Sequence, residues 1–177
     1  MRTLIEGHPT LLAVADALLA VRAVLTEQLS DLEKRLMSLG RRDARARLLM
    51  STPGVGPIVA LTYSAAIDDP ARFRSSRAVG PHFGITPKKY QSGETDITGR
   101  ISKIGDTSVR TALYEAAHVI LTRPIRGCSY LKSWAMRLAT RAGMSKVKVA
   151  LSRKLAVILH RMLADGTQFA DKAIAKA

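Results

Sequence analysis

The sequence predicts a mainly α fold: a long coiled-coil-like helix over residues 1–40, a helical domain over 41–166 and a tail over 167–177. Three observations predict it. Apolar residues recur at helical spacing over 11–39 and 147–162; caps and breakers cut most of the remainder into helix-length pieces; and only residues 84–105 are rich enough in Gly, Thr and Ser to read as a loop or short hairpin. With 177 residues and 47% hydrophobic side chains, the chain can bury one domain-sized core with an appendage.

In the first element, Leu or Val occupies positions 11, 14, 18, 21, 25, 29, 32, 36 and 39, a heptad seam with one stutter between Leu25 and Leu29. Thr10 is the expected cap and Gly40 the expected stop. Such a helix either packs on its own domain or pairs with another helix or chain, so a homo-oligomer through this segment is one expectation. Residues 11–21 form the most apolar run. Asp16 interrupts it, no small-residue cleavage site follows, and it is shorter than the roughly 18 residues of a membrane span, so no membrane partner is expected.

Residues 44–67 read as a helical hairpin. A short basic helix ends near Ser51, the turn Pro53-Gly54-Val55-Gly56 follows, and Pro57 suits the first position of the next helix. Free backbone N–H groups around residues 54–58 at that helix start would suit an anion, with Gly54 and Gly56 letting a phosphate come close; a purely structural turn is the other reading. Asp69-Pro70 is expected to open a helix bearing Arg72, Arg74 and Arg77 that ends near Val79, before Gly80 and Pro81. The segment 84–105 follows. Three helices then fill 106–165: one capped by Asp106 and stopped by Pro124, one over about 129–142, and one from beyond Ser145 to Asp165.

Charge is unevenly distributed. The whole chain carries 28 Lys and Arg against 14 Asp and Glu, but residues 1–40 have a net charge of −1 and residues 41–177 of +15. A field of that size attracts a polyanion over a Debye length of about 10 Å, and nucleic acid is the commonest one. A lone cysteine, Cys128, excludes an internal disulfide framework. His8, His82, His118 and His160 are too scattered for metal-ligand spacing, so no metal site is assigned.

Within the 84–105 segment, Ser92-Gly93 sits among Lys88, Lys89, Arg100 and Lys103. A serine hydroxyl becomes a nucleophile towards phosphate only with a base to take its proton and cations to hold the developing charge. The cations are there. No histidine is near Ser92 in sequence, and Glu94 and Asp96 are loop acids as easily solvated, so the residues alone leave open whether Ser92 is catalytic or a loop serine.

Six elements occur in order over about 70 residues: P-G-V-G at 53–56, D-P-A-R-F at 69–73, G-I-T-P at 84–87, S-G at 92–93, G-R-I-S-K-I-G-D at 99–106, and a helix bearing Arg110 and ending in Ala116-Ala117. This pattern resembles the carboxy-terminal domain of the DEDD-type insertion-sequence transposases, relatives of the Piv invertase that include the bridge-RNA-guided recombinases. The resemblance implies DNA transposition through a covalent phosphoserine–DNA link, with Ser92 as the attacking serine. Gly54, Gly56, Lys88, Lys89, Arg100, Lys103 and Arg110 become candidates for nucleic-acid contact, with DNA and a guide (bridge) RNA as candidate partners.

The same resemblance implies an amino-terminal RuvC-like domain whose four acids hold Mg²⁺; no cofactor is assigned to this chain itself. Residues 1–40 leave no room for that domain, so the chain is expected to be a fragment that is inactive alone. A bacterial, cytoplasmic protein, nucleoid-associated when bound, is the matching location. The alternative is a non-enzymatic helix-hairpin-helix module, which uses the PGVG turn and gives Ser92 no role.

Overall fold

The computed structural model describes residues 8–92 and 95–171. Gly93, Glu94 and the last six residues of the expected tail lie outside them. The chain divides into two units, Met1–Leu39 and Gly40–Ala177. Among the described residues there are seven α-helices and one two-stranded sheet, a mainly α fold.

Helix α1, Pro9–Arg42, differs at both ends from the sequence expectation. Pro9, not Thr10, opens it, since proline has no N–H to lose at the first position, and Leu12 N–H already bonds the His8 carbonyl. At the other end the helix continues through Gly40. That glycine is buried because a β-carbon there would come within 2.9 Å of Pro57 Cβ, so its small size serves packing and not termination. In the amino-terminal unit the heptad seam is uncovered: Leu11, Leu18, Leu25 and Leu29 are all more than half exposed, Leu18 at 66%. The Pro9–Arg42 helix also contains an 18-residue stretch long and apolar enough, by length and composition alone, to cross a bilayer, a longer stretch than the 11–21 run considered above. Asp16 and Arg22 interrupt its apolar half.

The second unit has its own core. Asp43 caps α2 (Ala44–Met50) by accepting from Ala46 N–H, and Pro57 opens α3 (Pro57–Ile67). Asp106 accepts from Ser108 and Val109 N–H to start α5 (Thr107–Thr122); α6 is Ser129–Ala142 and α7 is Met144–Asp165, ended by left-handed Gly166. Helix α5 lies along α7, α3 packs on α5 and α2, and α6 packs on α7. Leu49, Tyr63, Ile67, Leu113, Ile120, Leu151, Leu155 and Leu159 are fully buried between them. The Tyr63 hydroxyl, buried, donates to the Ala156 carbonyl at 2.5 Å, and burial pushes its pKa well up.

The helix expected after Asp69-Pro70 does not form. Asp69 does cap a turn, accepting from Ala71 N–H, but only a 3₁₀ turn, Pro70–Arg72, follows; a second, Ser76–Ala78, leads into the four-residue helix α4 (Val79–His82). The reason is tertiary. Phe73 turns extended and lays its ring edge-on to His82 and His160, 5.1 Å from each. Buried His160 bonds Ser76 Oγ at 3.0 Å through Nδ1 and the Pro70 carbonyl at 3.2 Å through Nε2. Its pKa is lowered by burial, against the opposing pull of the Pro70 carbonyl and Asp165. The segment is thus tied to α7 on both sides of Phe73.

The segment read as a loop or short hairpin is a hairpin: β1 (Pro87–Ser92) pairs antiparallel with β2 (Thr95–Ile101), Tyr90 opposite Ile97 and Ser92 opposite Thr95, with a bulge between Pro87 and Lys89. Residues 167–171 also have a structural part. Phe169 packs on the core and its N–H bonds Ser51 Oγ at 3.0 Å, while the Asp171 carboxylate accepts from Ser129 Oγ and from the Tyr130 and Leu131 N–H groups at the start of α6.

Candidate nucleic-acid interface

Ser92 lies exposed at the last position of β1, and among the described residues nothing hydrogen-bonds its hydroxyl. Lys88 and Lys89 are exposed on the same strand, and as neighbours they face opposite sides of the ribbon. Arg100 is exposed on β2, and Lys103, also exposed, holds a left-handed backbone (φ 58°) just beyond it.

The root of this hairpin is a crossing of two chain segments. Gly84 and Gly105 are both left-handed, and a β-carbon on either would run into backbone of the other segment: Ile104 for Gly84, the His82 carbonyl for Gly105. Ser102 N–H bonds the Thr86 carbonyl and Lys103 N–H the Gly84 carbonyl. Arg110 closes the crossing from α5: Nη1 donates to the Gly105 carbonyl at 2.8 Å and the Phe83 carbonyl at 3.3 Å, and Nη2 to Thr107 Oγ1 at 2.7 Å. Most of the hydrogen-bonding capacity of this candidate phosphate contact is already used to position the hairpin.

The PGVG turn is differently placed. Gly54 is left-handed (φ 83°), and a β-carbon on it would meet Ile120 Cγ1 at 2.7 Å and the Ala116 carbonyl at 3.2 Å, so the turn is pressed onto α5. Val55 N–H is not free as the sequence suggested, because it bonds the Thr52 carbonyl at 3.0 Å. Gly56 has open space around it and lies exposed at the N-cap of α3. Sequence alone placed Gly54 and Gly56 in one role; the structure gives Gly54 a packing duty and leaves Gly56 at the surface.

Two of the predicted cations do converge with residues that sequence reasoning missed. Arg100 and Lys103 share a groove of about 1120 Å³ with Arg77, Lys146, Arg153 and Lys154. Its floor includes Ile85, Ile101, Trp134, Val157 and Ile158, and among the described residues no acid lines it. The Lys154 ammonium sits 4.3 Å from the centre of the Trp134 ring, a cation–π contact, and burial lowers its pKa. Neither Ser92 nor the PGVG turn lines this groove. The available sequence signal was the single tryptophan in a chain with 5% aromatic residues.

Acids do little to neutralise these cations. Among the described residues of the second unit the ion pair present is Arg161–Asp165 at 3.2 Å, an exposed i, i+4 pair. Nor do the described residues contain a group of three or more His, Cys, Asp or Glu side chains able to hold a metal ion.

Residues 46–131, which contain the PGVG turn, the hairpin and all of α5, match the model of the Transposase IS116/IS110/IS902 family. The chain carries a domain of that family. A protein described as a probable family 20 transposase in Pseudomonas aeruginosa is 32% identical over 143 residues, covering 81% of this chain and 42% of that protein. The transposase for insertion sequence element IS1328 in Yersinia enterocolitica is 32% identical over 145 residues, 82% of this chain and 43% of its own length. That for IS1111A in Coxiella burnetii is 32% identical over 138 residues, 77% and 38%. The chain therefore spans about two fifths of the length of these relatives.

Proposed function

We propose that this polypeptide is the serine-bearing, nucleic-acid-binding half of a bacterial insertion-sequence transposase. The observation that carries the reading is the position of Ser92: exposed at the end of a strand bearing Lys88 and Lys89, within a transposase-family domain. In this reading Ser92 Oγ attacks a DNA phosphorus. One P–O bond forms as another breaks, so strand exchange conserves bond energy and needs no nucleotide cofactor. Lys88 and Lys89, with Arg100 and Lys103, hold the phosphate charge, and Arg110 keeps the hairpin in position.

A base for the serine proton and the Mg²⁺ chemistry belong to the RuvC-like domain, so this polypeptide alone binds DNA without cutting it. The uncovered heptad seam supports homo-oligomerisation through α1, and the basic surface supports DNA, with a guide RNA as a second nucleic-acid partner. The non-enzymatic helical-hairpin reading is weakened by the Gly54 contact with α5 and the occupied Val55 N–H.

The test is a covalent trap. The chain, alone and with a separately supplied RuvC-like domain, is incubated with Mg²⁺, labelled transposon-end DNA and any cognate guide RNA, and resolved on a denaturing gel. A covalent band that requires both the added domain and Ser92 is the expected result. In the complete protein Ser92→Ala abolishes recombination and leaves DNA binding within about twofold, as expected of a small exposed side chain that makes no structural contact; normal recombination by that variant would falsify the assignment.

A further inference from the structure

The groove between the hairpin root and α7 has two properties that duplex binding does not use together. Phosphates need only the rim cations. The floor of Ile85, Ile101, Trp134, Val157 and Ile158 is of no use to a duplex, whose bases are stacked and paired away from it. The geometry points to an unpaired stretch of nucleic-acid strand as the occupant, its phosphates on the rim and its bases laid on Trp134, the guanidinium planes of Arg77, Arg100 and Arg153, and the aliphatic floor.

Three features support that occupant. The volume, about 1120 Å³, exceeds the ~300–1,000 Å³ of small-molecule pockets, which suits a polymer segment. Half of the six rim cations are arginines, whose planar guanidinium stacks on bases as a lysine ammonium cannot. The groove also pairs an aromatic ring with a cation, Trp134 beneath the Lys154 ammonium, the two side-chain types that stack bases and hold phosphate; a base stacks on that face of the ring by displacing the ammonium. An acidic amphipathic helix is the competing occupant. It would match the rim by charge but make no special use of arginine planes, and the unit's charge of +15 over residues 41–177 suits a longer polyanion than one helix.

The inference rests on the nucleic-acid reading above and is tested separately from it. Trp134 is the sole tryptophan, so the full chain reports the groove through its own emission. Four probes are titrated at one salt concentration, following Trp emission and probe anisotropy together: a blunt DNA duplex, a single DNA strand with the same number of phosphates, an abasic sugar-phosphate strand of that length, and an acidic amphipathic peptide. All three nucleic acids are expected to bind, and the natural single strand alone to quench Trp134. By anisotropy, Trp134→Leu weakens the single strand about five- to hundredfold, the range for loss of one stacked base, while Trp134→Phe retains it and duplex affinity stays put.

Equal quenching by duplex and single strand, or equal affinity for natural and abasic strands, overturns the inference while the nucleic-acid reading stands. Quenching by the peptide, with displacement of the strand, overturns it in favour of protein docking. Binding of no nucleic acid removes both readings. The emission experiment uses the unaltered protein, so misfolding of a variant cannot decide it.

Discussion

The PGVG turn and the β-hairpin both place small residues between two secondary-structure elements near cations, yet the fold treats them in opposite ways. The first is pressed into α5, with Gly54 left-handed against Ile120. The second projects Lys88, Lys89 and Ser92 into solvent and is held at its root by Gly84, Gly105 and Arg110. A glycine-rich motif therefore does not announce whether its small residues admit a ligand or a neighbouring helix. What stands one side chain away decides.

The sharpest way to break this contrast is to fill each turn. Gly54→Ala imposes a left-handed backbone on a residue with a β-carbon and drives that carbon into Ile120, so a loss of about 2–5 kcal/mol is expected in urea unfolding. Gly56→Ala, in open space, is the control and should cost under about 1 kcal/mol. Equal losses would mean that the PGVG turn does not bear on α5 as described.

Next in size is the hairpin root. Arg110→Met removes the donors to the Phe83 and Gly105 carbonyls and should cost about 1–3 kcal/mol, seen as a lower urea midpoint and faster amide exchange in residues 84–105. Arg110→Lys should rescue little of it, since one ammonium cannot span the fork of carbonyls. The smallest effect on stability belongs to the strand: Lys88→Gln with Lys89→Gln should shift unfolding by less than about 0.5 kcal/mol. The same pair should flatten the log–log salt dependence of duplex binding by about 0.9 per phosphate contact removed. Unchanged salt dependence would take these lysines out of the interface.

Where a helix end is decided by local chemistry, the sequence was mostly enough to find it, the start of α1 at Pro9, read as a Thr10 cap, being the exception. Asp106, Pro57, Gly143 and Gly166 mark observed ends because a cap bond, a missing N–H or a left-handed residue acts within one turn. Gly40 and the 70–79 segment were misread because the deciding contacts come from afar in the chain, Pro57 for the one and His160 for the other. The candidate site divides along the same line. Exposure of Lys88, Lys89, Arg100 and Lys103 follows from a polar hairpin. The groove does not, since Arg77, Trp134 and Arg153 stand on three separate elements, and it takes the packing of both α6 and the Ser76–Ala78 turn on α7 to bring them together.

The Asp171 carboxylate at the start of α6 has a consequence for where anions can settle on so basic a surface. A helix N-terminus with three adjacent donors, Ser129 Oγ and the Tyr130 and Leu131 N–H groups, is the kind of seat a phosphate takes, and here it is filled from within by a side chain forty residues away. The chain thereby closes one seat that an anion could take, and Asp171 helps to set which parts of the positive surface remain open.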